Sequence, residues 1–107
     1  MSAFSSSDPI VVASFARTPI GDFNGALSGA SATDLGASAV KAAVERAGID
    51  GAAVDRVYMG CVLPAGLGQN PARQAALGAG APPATQATTG HKMCGSGMPA
   101  AIMAHDA

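Results

Sequence analysis

Ser31 and Gly48 enclose a segment that is legible as one closed unit, and that unit constrains how everything around it can pack. Ser31, with Asp34 three residues on, makes a capping-box-like start. Leu35, Ala39, Ala42, Ala43 and Val44 form an apolar stripe at helical spacing, with Glu45 and Arg46 outside it. Gly48 is placed to end the helix in a left-handed conformation. The spacing predicts a helix from about Ala32 to Ala47.

Strand-length apolar runs stand on either side. Ile10 to Ala16 follows a Ser-rich leader and reads as a first strand, and Arg56 to Val62, with β-branched and aromatic residues around Gly60, reads as a second. Asn70 then supplies a capping side chain and Pro71 a first helical residue whose missing N–H costs nothing, so a short second helix is predicted over Ala72 to Gly80. Pro82 and Pro83 interrupt the chain. Thr85 to Thr89 reads as a weaker third strand that runs into the turn at Cys94 and a third helix. This βαβαβα order predicts an α/β fold: a mostly parallel sheet, helices on its faces and ligands at the carboxyl ends of the strands.

Composition narrows the function classes. A length of 107 residues sets one domain with a modest core, and six basic against seven acidic residues leave no basic face for nucleic acid. No apolar run approaches the roughly 20 residues of a bilayer span, and Met1 to Pro9 lacks the pattern of a signal peptide. A soluble cytoplasmic protein with no membrane partner is the expectation. Cys61 and Cys94 are too few for a disulfide framework, and His91 with Cys94 makes at most half a zinc site, so no metal is expected. Gly66 and Gly68 lack the third glycine of a dinucleotide fingerprint.

The chemistry concentrates at Gly90-His91-Lys92-Met93-Cys94-Gly95-Ser96-Gly97-Met98. A cysteine at a strand-to-helix turn stands near backbone N–H groups that favour a thiolate, and the glycines let another group approach its sulfur. Ser96 reads as a helix-start hydrogen-bonder rather than a second nucleophile, since no base stands beside it in the sequence. His91 is the one local candidate for a base at Cys94, against a plain solvent-facing histidine. Cys61 reads as a small buried hydrophobe, and Arg17 and Arg73 as structural ion-pair formers rather than phosphate binders. The loop Leu63 to Pro71 is read as a subunit contact or a substrate-facing loop.

Three segments, Arg17 to Phe23, Gly60-Cys61-Val62 with Gly68 to Arg73, and Lys92 to Met98, together resemble the amino-terminal part of a thiolase, an acetyl-CoA acetyltransferase. The resemblance extends from about Ile10 to Ala107, leaving residues 1–9 as a flexible leader and 10–107 as an incomplete amino-terminal thiolase domain. It implies acyl transfer between acyl-CoA and CoA or acetyl-CoA through a cysteine thioester, with Cys94 as the nucleophile and Gly95, Ser96 and Gly97 as the turn that exposes it. It also implies coenzyme A thioesters as substrates, no further cofactor, and a homo-oligomer in the full-length protein. The family's Gly-His-Gly histidine, its later asparagine segment and its second cysteine lie beyond the matched part and do not occur here, so the chain alone is expected not to turn over.

Within the best motif, Gly90, His91 and Pro99 depart from the family's usual residues. Pro99 is harmless in the first turn of the helix and costs about 3 kcal/mol deeper in it. Two alternatives are a fragment of a β-ketoacyl synthase-like condensing enzyme and a non-catalytic chain that binds a full-length thiolase subunit. The Arg17 to Phe23 motif favours the thiolase branch.

Overall fold

The computed structural model describes residues 8–107, so most of the expected leader, residues 1–9, lies outside the described residues. Helix α1 spans Ala32–Ala47, as its end signals require. The Ser31 hydroxyl accepts from the Asp34 N–H, and Gly48 closes the helix at φ 71° with its N–H on the Glu45 carbonyl. Removing that first bond in Ser31→Ala should cost about 1 kcal/mol, read as a lower urea midpoint at unchanged m-value.

A 3-10 turn over Gly51–Ala53 leads into β1, Arg56–Gly60. Helix α2, Pro71–Gly78, crosses to β2, Gln86–Gly90, and α3 follows over Gly97–Asp106. The two strands pair in parallel, Arg56 opposite Gln86 through Gly60 opposite Gly90, and the Cys61 N–H adds one more bond to the Gly90 carbonyl at 2.9 Å.

Side-chain alternation along the strands separates the helices onto two faces. Met59 and Thr89 point toward α1 and α2: the Met59 methyl lies 3.3 Å from where a Gly36 Cβ would stand, and the Thr89 hydroxyl accepts from the Ala72 N–H at 3.0 Å. Gly60 and Gly90 face α3, against Ser96 and Met103. Helices α1 and α2 meet through small residues. A Cβ on Gly36 would lie 3.1 Å from that of Ala75, and one on Gly78 would lie 3.0 Å from that of Ala37. The buried apolar residues are correspondingly small, Ala72, Ala75, Ala76 and Ala100. The stripe read on α1 is half-buried at each position, while Glu45 and Arg46 are exposed.

One predicted strand is absent. Residues 10–16 form no β-ladder; the described sheet has two strands, not three. The apolar run has strand-like composition, but a strand exists only when a neighbour accepts its backbone hydrogen bonds, and among the described residues no strand pairs with this segment. The segment is instead tied to α1 by side chains. The Ser14 hydroxyl donates to the Ala43 carbonyl, and Arg46 Nη1 donates to the Phe15 carbonyl at 3.0 Å. Its large side chains face outward, with Val12 87% and Phe15 82% exposed. No helix among the described residues is long and apolar enough to cross a membrane.

Candidate active site at the Cys94 turn

The turn that follows β2 brings Cys94 to the carboxyl ends of the parallel strands, where the fold class places ligands. Cys94 is exposed and its thiol is free. Two consecutive backbone bonds build the turn: the Gly95 N–H donates to the Lys92 carbonyl at 3.0 Å, and the Ser96 N–H to the Met93 carbonyl at 3.2 Å. Met93 adopts φ 47°, the left-handed region that a residue with a Cβ enters at a cost of about 1–2 kcal/mol.

Ser96 does not behave as a cap. It precedes α3 with helical angles and makes no side-chain bond to the helix. Its hydroxyl, in a residue only 4% exposed, points backward instead: it donates to the Met93 carbonyl at 2.6 Å and accepts from the Lys92 N–H at 2.9 Å. Ser96 is thus a hydrogen-bonder, but its bonds close the Cys94 turn rather than start the helix.

Gly60 supports this turn from β1. A Cβ there would fall 2.5 Å from the Ser96 carbonyl carbon and oxygen, so β1 and the start of α3 meet backbone to backbone. A glycine inside a strand signals such an approach, although the sequence does not say which segment approaches. Met93 and Gly60 are therefore the two supports that sequence reading missed.

The remaining candidates separate. His91 is exposed, and among the described residues no hydrogen bond joins it to Cys94. Pro99 is the third residue of α3, within the first turn, where its missing N–H has no intrahelical acceptor to lose. Arg73 donates to the carbonyls of Thr85 and Pro83, both at 3.1 Å, so its role is structural but through carbonyls rather than carboxylates. Among the described residues, Arg17 reaches only the neighbouring Thr18 carbonyl, at 3.4 Å. Gln74 Nε2 holds the 63–70 loop by donating to the carbonyls of Leu67 and Gln69. Cys61, just past β1 rather than within it, is half-buried and lines a small cavity of about 70 Å³ with Met59, Ala72 and Thr89. A larger cavity of about 600 Å³ opens at the opposite end of the sheet, lined by Asp55, Arg56, Thr85 and Gln86 among others, and contains no cysteine or histidine.

The thiolase amino-terminal domain family matches residues 10–107, nearly the whole described chain. The chain belongs to the thiolase family. A mitochondrial acetyl-CoA acetyltransferase of Xenopus tropicalis is 59% identical over 95 residues, which are 89% of this chain and 23% of that protein. The acetyl-CoA acetyltransferase of Escherichia coli K12 is 54% identical over 91% of this chain and 25% of its own length. Among solved structures, a thiolase of Ascaris suum in complex with coenzyme A superposes with a TM-score of 0.84 at 39% identity, covering 88% of this chain and 25% of that one. This thiolase chain thus spans about a quarter of the length of the relatives it matches. Those relatives include proteins named as mitochondrial and as cytosolic.

Proposed function

We propose that this thiolase chain supplies the acyl-accepting half of an acetyl-CoA acetyltransferase site, with Cys94 as the nucleophile. The single observation that carries the reading is the exposed Cys94 thiol on a turn held by Ser96 and Gly60 at the carboxyl ends of β1 and β2. In the proposed step the Cys94 thiolate attacks the thioester carbonyl of acetyl-CoA. A new carbon–sulfur bond forms, the bond to coenzyme A breaks, and the departing thiolate takes up a proton. Gly95 and Gly97 leave room for the thioester beside the sulfur. The acetyl-CoA acetyltransferase names of the relatives favour this branch over a β-ketoacyl synthase-like one.

Completion of the reaction requires a base for the second half, and no hydrogen bond joins His91 to Cys94 among the described residues. We assign that role to the remainder of a full-length thiolase, in a cytoplasmic homo-oligomer. The exposed apolar side chains support further covering structure, with Val12 and Ile20 each 87% and Phe23 96% exposed. Incubation with excess acetyl-CoA, followed by peptide mass mapping, tests the reading directly. One acetyl group on Cys94 and none on Cys61 is the expected result; an unmodified Cys94 in a chain whose circular dichroism reports its helices overturns it.

A further inference from the structure

We infer that Ser96 is the positioning residue of this site, and that it acts by clasping Met93 in its left-handed conformation so that Cys94 is presented at the strand ends. The inference rests on the reading of Cys94 as acyl acceptor and adds a role for a residue that touches no substrate. Three helix starts with a polar capping side chain can be compared in this chain. Ser31, Asp50 and Asn70 each accept a bond from an N–H of the element that follows. Ser96 stands at the same position before α3, yet directs the bond it donates and the bond it accepts to the preceding turn, at Met93 and Lys92.

The geometry explains the need. Met93 sits at φ 47°, a conformation its Cβ disfavours, and the residue immediately after it carries the thiol. Local sequence does not hold it there, because Met93 is 64% exposed and its side chain has little packing to spare. The Ser96 hydroxyl reaches the Met93 carbonyl at 2.6 Å and is itself shielded from water, where a hydrogen bond meets little competition. Relaxing Met93 to a negative φ would re-aim the peptide that leads into Cys94. Without the Ser96 hydroxyl, the Met93 carbonyl keeps its bond from the Ser96 N–H, but two hydroxyl bonds are lost and the Lys92 N–H is left unpaired, which together correspond to a change of about tenfold or more in the population of the open turn.

Hydrogen exchange by NMR in the purified chain reads the turn, and acetylation of Cys94 by acetyl-CoA reads its consequence. In Ser96→Ala, the amides of Gly95 and of the substituted residue itself should exchange about tenfold faster, while those of Ala101 to Met103 in α3 stay within about twofold, and Cys94 acetylation should slow in parallel. Adding Met93→Gly should restore much of the acetylation rate, because glycine enters positive φ without a Cβ penalty. A serine that merely filled space would not be rescued by a change at Met93. Unchanged turn exchange in Ser96→Ala, a uniform loss of protection along α3, or failure of the second substitution to rescue overturns the clasp. A parent chain with a protected turn whose Cys94 is never acetylated overturns the acyl-acceptor reading instead, and with it the positioning role.

Discussion

Gly60→Ala is expected to reduce acetylation of Cys94 by about 100-fold, the scale of loss that accompanies a 1 Å misplacement of a reacting group. The added Cβ would lie 2.5 Å from the Ser96 carbonyl carbon and oxygen and 2.7 Å from the Ser96 Cβ. None of these atoms is the free end of a flexible side chain, so no rotamer change relieves the overlap. Either α3 withdraws from β1 or the end of β1 gives way, and both routes move the turn that carries Cys94. Overpacking of this kind costs about 1–3 kcal/mol. Gly29→Ala is the control, since a Cβ there meets nothing within 4 Å and its φ is not positive. Acetylation rates and urea midpoints of the two variants decide the matter: equal behaviour would mean that β1 does not support the Cys94 turn.

The contrast between these glycines marks where the sequence stops being readable. Helix α1 was legible at both ends because its signals are local: Ser31 caps an N–H three residues away, and Gly48 answers a backbone angle of its own. The start of α2 was legible for the same reason, through Asn70 and Pro71, although the helix ends at Gly78 rather than Gly80. The strand predicted over Ile10 to Ala16 failed because strand formation is a property of pairs, and the identity and exposure of its residues carry no information about a partner. The candidate site divides in the same way. Cys94 stood out by residue type and by its small neighbours, and Ser96 stood out as a hydrogen-bonder. The direction of the Ser96 bonds, the positive φ of Met93 and the approach of Gly60 depend on where α3 starts and on what β1 meets, which the sequence does not encode locally.

Asn70→Ala is expected to lower stability by about 3 kcal/mol, because this residue serves three functions at once. Its backbone is left-handed, at φ 44° and ψ 78°. Its Oδ1 accepts from the Arg73 N–H at 3.3 Å, capping α2, and from the Thr89 hydroxyl at 2.7 Å; its Nδ2 donates to the Ala87 carbonyl at 3.0 Å. The side chain therefore fastens the start of α2 to β2, the strand that delivers the Cys94 turn. Alanine removes all of these bonds and adds the Cβ penalty of positive φ, whereas asparagine tolerates that region. Asn70→Gly separates the contributions, since it deletes the same bonds but accepts the backbone angle, and should be less destabilised than alanine by about 1 kcal/mol. Urea unfolding of both variants measures the difference. Equal losses would assign the whole effect to the side-chain bonds, and a glycine variant as stable as the parent would leave the backbone angle as the sole requirement at this position. On the expected result, the junction between α2 and β2 is held by geometry that only asparagine meets in full, and weakening it should loosen the strand end that leads into the Cys94 turn.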